Sequence, residues 1–350
     1  MGCIDFVKST SNGNTFILIN GDTEKELDDK ALSSLALGIL NPHFGVGADG
    51  LIVFQKCTMS HLEDLKKNGN VHWQTSPSWD DADYTFRIFE PNGEESLSCG
   101  NGLICLADYL YNTLNINYTT FLTEIPAAAP RIISAGKLSE KDDAWVDLGN
   151  PRKIPDMYVD RTAVVSVDGA IDGIDGLVVP CHGKEKAFTG YITYTGEPHL
   201  VFFAEDNFDD KDIDLLFGYH DLADRTYIDP WSDKSNYFVH QMGKFIQTHY
   251  RDLFPKGINV NITRVVNNII DNRCFERGIA RETLSCGTGA VASAYVSFAL
   301  KRITEDNIIV QPKKCWVHNQ NLHYRIKRYH GVWIIFGKPD QVCTGTYAFP

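Results

Sequence analysis

Apolar residues fall along this chain in short runs whose period changes. "NTFILING" (14–21) and "FGVGADGLIVF" (44–54) read as strands, the first closed by an Asn-Gly turn and the second fed by a glycine-rich one. "YTFRIFEPNGEES" (84–96) returns to a strand and a turn, and "CGNGLICLADYLYNTL" (99–114) then has the length and spacing of a mostly buried helix. The second half follows the same plan. Strands are expected around "GLVVPCHG", "YITYTGEPHLVFFAE", "GINVNITRVV" and "CFERG", then a helix over "CGTGAVASAYVSFALKR" (286–302), whose Ala and Ser allow close packing, and last the strands "LHYRIKRYH" and "GVWIIFG". Polar stretches at 61–83 and from about 206 to 250 read as surface insertions. A Pro-punctuated crossing within 144–159 marks a domain boundary.

The same turn is written twice. "FEPNGEESLSCGNG" (89–102) and "FERGIARETLSCGTG" (275–289) share Phe-Glu, a later Glu, Leu-Ser-Cys-Gly and a final Gly, almost two hundred residues apart. This is an internal repeat of domain size, not a solenoid period. Two related halves are expected, with a cleft that faces one cysteine from each side.

Composition narrows the class. With 350 residues, 43% hydrophobic and 22% charged, the chain can form one large or two medium domains, each with a sizeable core. The net charge of -12 disfavours nucleic acid and anionic membrane as partners. Neither a secretory signal nor a run of eighteen apolar residues is found, so a cytoplasmic protein is expected. Nine cysteines without a CxxC pair argue against a zinc ribbon or a thioredoxin-type site, and most of them read as small buried apolar residues. Cys99 and Cys286 stand apart because each begins a helix.

A helix start exposes unpaired N–H groups and a partial positive charge, which bind anions and lower a thiol pKa. Gly100, Gly102, Gly287 and Gly289 would let a carboxylate approach that backbone. An unperturbed thiol is only roughly 3% ionised at pH 7, so a modest downward shift makes it a usable base. Two such thiols on opposite faces of one carbon can exchange its proton, while both helix starts hold the substrate carboxylate.

At these residues the sequence resembles the diaminopimelate epimerase family. The likeness runs through "GNTFILING", "HFGVGADGLIVF", "RIFEPNGEESLSCGNG", "VDLGNPR", "TGEPHLVFF", "FPKGINVN" and "ERGIARETLSCGTGA", in that order. The resemblance implies an α/β (α+β) fold of two pseudo-symmetric domains, each a strand-wrapped central helix. Their expected bounds are 1–149 plus 339–350, and 150–338. It implies an isomerase that needs no cofactor and no metal, with Cys99 and Cys286 as the catalytic pair and His199 and Glu276 assisting. Substrate contacts would come from Asn14, Glu90, Gly100, Asn101, Glu197, Asn259, Arg277, Gly287 and Thr288. The implied partner is a small-molecule amino-acid substrate, with no nucleic acid and no membrane, and the resemblance leaves a homodimer open.

Three departures fall at the substrate end. Glu90 and Glu197 stand where the family usually has Asn, and one extra residue before Cys286 brings Arg281. Two added carboxylates would repel a distal carboxylate unless Arg277 or Arg281 compensates. The primary reading is conversion of LL- to meso-diaminopimelate. The alternatives are a racemase of a basic amino acid such as histidine, lysine, ornithine or arginine, and a non-catalytic ligand-binding or thiol-redox protein on the same fold. Proline racemases carry "CGHG" where this chain has Asn101, a phenazine-type isomerase would lack paired thiols, and a pyridoxal phosphate enzyme would need a Schiff-base lysine.

Overall fold

The apolar runs pair into strands around two helices. The computed structural model describes residues 2–24, 27–69, 71–181, 184–218, 234–318 and 322–349. Two units result: Met1–Leu148 with Ile334–Pro350, and Gly149–Trp333.

The first unit contains β1 (Gly2–Ser11), β2 (Asn14–Asn20), α1 (Asp29–Ile39), β3 (Gly50–Lys56), α2 (Met59–Asn68), β4 (Tyr84–Phe89), β5 (Glu95–Ser96), α3 (Gly100–Leu114), β6 (Tyr118–Thr123), β7 (Arg131–Gly136) and β8 (Ala144–Asp147). The second contains β9 (Val165–Asp168), β10 (Ile171–Cys181), β11 (Lys184–Tyr194), β12 (Pro198–Phe203), α4 (Ala204–Asn207), α5 (Asp210–Phe217), α6 (Lys234–His249), β13 (Asn259–Val266), β14 (Ile269–Glu276), β15 (Arg281–Glu282), α7 (Gly287–Ala299), β16 (Asn307–Pro312), α8 (Lys313–His318) and β17 (Tyr324–Tyr329). The chain then returns to the first unit through β18 (Val332–Gly337) and β19 (Pro339–Phe349), which pairs along β1.

Both units use one pairing scheme. In the first, β2 lies parallel to β3, β3 antiparallel to β4, β4 antiparallel to β5 and parallel to β6. In the second, β12, β13, β14, β15 and β16 repeat those relations in the same order. Registers also correspond: Leu51 faces Phe89 as Val260 faces Phe275, and Phe89 faces Glu95 as Phe275 faces Glu282.

Each unit wraps one helix. α3 touches β1, β2, β7, β8 and β19, and α7 touches β11 to β14, β16 and β17. Leu103, Ile104, Leu106 and Leu110 on α3 are fully buried, each worth about 1.5–3 kcal/mol relative to exposure. α7 achieves the same enclosure with Ala290, Ala292, Ser293 and Ala294, whose small side chains let the strands close in.

The two polar stretches are not loose surface insertions. In the first, Leu62 and Leu65 of α2 join a small apolar cluster with Leu122 and Ile125, and Trp73 Nε1 donates to Ile125 O at 2.8 Å. In the second, Phe238, Val239, Met242 and Ile246 on α6 enter the main core of the second unit. A polar average hid an amphipathic stripe in both; residues 219–233 of the second stretch lie outside the described residues. α1 adds an element absent from the expected set, capped by Asp28 and burying Leu32, Leu35, Ala36 and Ile39 at helical spacing.

Beneath each thiol turn lies a repeated ion pair. Arg87 meets Glu95 and Arg273 meets Glu282, the latter 3% and 2% exposed with both nitrogens within 2.7 Å of carboxylate oxygens. Removing one partner leaves a buried charge alone. Glu282→Ala is therefore expected to cost about 3–5 kcal/mol in urea unfolding, whereas Asp206→Ala, which breaks the half-exposed Arg302–Asp206 pair, should cost less than about 1 kcal/mol.

Candidate active site

Cys99 and Cys286 are the residues that cap α3 and α7. Both have extended backbone, with φ/ψ of -148°/114° and -135°/112°, so each side chain stands at the first turn. Cys99 is half-buried and Cys286 is buried. Gly100 and Gly287 open the two helices behind them.

The two later glycines seat the helix starts closely on the strands. A Cβ on Gly102 would lie 2.7 Å from Ile52 Cδ1, and one on Gly289 would lie 2.6 Å from Asn261 Oδ1. Those positions point into the neighbouring strands.

In the first unit, Asn101 Nδ2 donates to Asn14 Oδ1 at 3.1 Å, so these two expected contacts do meet. Ser96 Oγ donates to Glu90 Oε1 at 2.7 Å. In the second unit Thr283 Oγ1 donates to Glu276 in the same way. Glu90 therefore occupies the register position of Glu276, each carboxylate held by a hydroxyl three residues before the thiol. Ser96 and Thr283 were legible as matching positions of the repeat, although neither stood among the candidates.

Around Cys286 the groups are polar. Gly289 N–H lies 3.4 Å from Sγ, Thr288 Oγ1 lies 3.4 Å from it, and Thr195 Oγ1 donates to Thr288 O at 2.9 Å. Asn261 Nδ2 donates to His199 Nδ1 at 2.9 Å, so Nε2 carries the ring proton and donates to Thr288 Oγ1 at 3.0 Å. The threonine hydroxyl is then turned toward sulfur. A hydrogen bond from the buried Cys274 thiol holds Cys286 below the ordinary thiol range, helped by Thr288 and the Gly289 N–H, against the opposing effect of burial. Burial pushes Cys274 itself well up, so it stays protonated. Cys274 is thus no inert apolar filler, which corrects the expectation for it. Asn261, Thr195 and Cys274 were not candidates; their proximity to sulfur arises from pairing between distant strands.

His199 does not titrate near neutrality. Burial, with a smaller contribution from Arg277, pushes its imidazole down to about 3. It orients Thr288 and takes no proton there.

Arg277 is already engaged. Its Nε lies 2.9 Å and its Nη2 2.7 Å from Glu197 Oε2, Nη1 donates to Lys256 O, and the guanidinium lies 5.2 Å from the Tyr158 ring centre. Asn259 Oδ1 accepts from the Arg277 backbone N–H at 2.9 Å and so fixes the base of that side chain. Arg281 is exposed and faces Glu276 across the β14–β15 ladder.

The model described as "Diaminopimelate epimerase" matches residues 6–153. A diaminopimelate epimerase of Moorella thermoacetica is 30% identical over 83% of this chain and 81% of that protein. The chain belongs to the diaminopimelate epimerase family. A second member, from Methanothrix thermoacetophila, is 29% identical over 87% of this chain and 85% of its own. Solved structures share the fold: a hydroxyproline epimerase from Agrobacterium vitis matches with a TM-score of 0.57 at 12% identity over 98% and 92% of the two chains. A phenazine-biosynthesis family protein from Enterococcus faecalis matches with a TM-score of 0.54 at 13% identity over 99% and 100%. As a member of this family the chain is an isomerase, of the epimerase and racemase kind. No helix among the described residues is long and apolar enough to cross a membrane.

The buried imidazole has a consequence for stability. An unfolded histidine takes a proton near pH 6.5, whereas His199 in the folded chain resists until about 3, so the unfolded state binds more protons throughout that window. Unfolding free energy should fall as pH drops through it, by up to about 1.4 kcal/mol per unit from this group. Urea midpoints at pH 7.5 and 5.5 should differ less in His199→Asn than in the parent.

Proposed function

We propose that this protein inverts the α-carbon of an amino acid by a two-base mechanism, Cys286 and Cys99 each serving one face, on LL- and meso-diaminopimelate. The observation that carries the reading is the pair of cysteine caps, one at the start of each enclosed helix, within a family whose relatives bear that name. One thiolate removes the α-proton and the opposite thiol returns a proton. Helix-start N–H groups stabilise the charge that develops on the carboxylate. Asn14, Asn101, Thr288 and Asn259 would position the substrate, and Glu90 and Glu276 would flank the two thiols. A reducing cytoplasm suits nine free cysteines.

A second reading is favoured by Glu197. Diaminopimelate has a distal carboxylate, and the arginine that would receive it already holds Glu197. A substrate ending in a cation, such as lysine, ornithine, arginine or histidine, would leave that pair intact and meet carboxylate in Glu197 and Glu90.

Loss of the α-proton signal in deuterated buffer with a reducing agent tests both readings. Exchange is expected with LL- and meso-diaminopimelate; faster exchange with a basic amino acid would replace the first reading by the second. No exchange with any would return weight to a binding or thiol-redox role. Cys99→Ser and Cys286→Ser should each lower exchange by at least about 10²-fold, and full activity in either would sink the two-base mechanism. Glu197→Gln frees Arg277, so it should raise kcat/KM for diaminopimelate severalfold relative to lysine; an unchanged ratio would remove Glu197 from substrate selection.

A further inference from the structure

Asn261 and His199 stand on one face of two neighbouring strands. β12 runs parallel to β13 with His199 aligned to Asn259 and Val201 to Asn261, so the imidazole and the amide are diagonal neighbours. Both side chains are fully buried. Three contacts then lead to sulfur. Asn261 Nδ2 lies 2.9 Å from His199 Nδ1, His199 Nε2 lies 3.0 Å from Thr288 Oγ1, and Thr288 Oγ1 lies 3.4 Å from Cys286 Sγ. Thr195 Oγ1 donates to the Thr288 carbonyl at 2.9 Å and keeps that residue in place.

A neutral imidazole has one donor and one acceptor, so the partner at one nitrogen decides what the other does. An amide N–H at Nδ1 leaves the ring proton on Nε2. That N–H occupies a lone pair of the Thr288 oxygen, and the hydroxyl hydrogen is left for sulfur. An acceptor at Nδ1 would invert the row: the ring would carry its proton on Nδ1, Nε2 would take the hydroxyl hydrogen, and sulfur would face a lone pair. We propose that Asn261 is a positioning residue for the exchange reaction: its amide N–H sets the sense of the row through His199 and Thr288, so that a hydroxyl hydrogen meets Cys286 Sγ and favours the thiolate.

The scaffold does not require an amide there. Ile52 holds the register position of Asn261 in the first unit and fills the same seat: its Cδ1 would lie 2.7 Å from a Cβ on Gly102, as Asn261 Oδ1 would lie 2.6 Å from one on Gly289. Asn261 Oδ1 has no hydrogen-bond partner, so the one polar contact of this side chain is the N–H given to His199. Asn261→Leu therefore removes the donor and keeps a side chain of similar size.

The role rests on Cys286 serving as a base, and the test uses no substrate, so it fails separately from the choice of amino acid. Long-range proton–nitrogen NMR is recorded on isotope-labelled full-length protein, with the His199 ring signals assigned by their loss in His199→Asn. The parent should show the proton on Nε2 and a bare Nδ1; a proton on Nδ1, or on both nitrogens, would overturn the proposal. Iodoacetamide alkylation across a pH series, mapped on tryptic peptides, reads the thiols, and cleavage at Arg281 and Lys301 isolates Cys286. In Asn261→Leu a share of the ring should pass to the Nδ1–H form, and the Cys286 midpoint should rise by about one pH unit, roughly tenfold slower alkylation below it. Thr288→Val should raise it as far, and the double variant no further, because both break the same row. An unmoved Cys286 midpoint in Asn261→Leu, a rise without the change of tautomer, additive effects in the double variant, or an equal rise at Cys99 would each overturn the role of Asn261. If the leucine variant does not fold by circular dichroism, Asn261→Ala is read in its place by the same criteria.

Discussion

A helix wrapped by strands leaves its unpaired backbone N–H groups at its first turn, and this constraint governs both units. α3 and α7 are wrapped by strands over most of their length; the buried carboxylate of Asp108 on α3 is closed off by Lys137 at 2.6 Å and Ser293 on α7 is held by Thr263 and Asn272, so the unpaired N–H groups of each helix lie at its first turn. There a cysteine stands as the cap, and the unpaired N–H groups behind it supply partial positive charge. The close seating of Gly102 and Gly289 on the adjacent strands makes this possible. A side chain at either position would lift the helix start and carry the thiol with it.

Supporting the turns from below, the buried pairs Arg87–Glu95 and Arg273–Glu282 tie each hairpin to its own strand. The same hairpins carry Glu90 and Glu276, set by Ser96 and Thr283. Scaffold and site thus share a few residues. The fold repeats faithfully where it holds the turn, and it differs at the paired strand positions Ile52–Ile88 and Asn261–Cys274.

Charge is arranged differently at one pair of corresponding strand ends. Glu197 occupies the register position that Asn14 holds in the other unit and is paired with Arg277, so one end of the second unit presents a neutralised pair where its counterpart presents an amide. A carboxylate entering there has to compete with Glu197 for the guanidinium.

Much was legible in the chain itself. The two helices, the strands beside them, the repeat and the cysteine caps all follow from period and punctuation, because a buried helix and a glycine turn leave strong local signatures. α1 and α6 were less visible, since their apolar stripes lie in segments of polar average composition. What only the tertiary structure decided is which groups touch the sulfurs and the guanidinium. The contacts of His199 with Asn261, Cys274 with Cys286 and Arg277 with Glu197 join strands or turns that lie from 12 to 80 residues apart in sequence. Strand pairing fixes those contacts, and no local pattern encodes it. Local pattern thus marked the two thiols, and long-range pairing supplied the groups around Cys286 and Arg277.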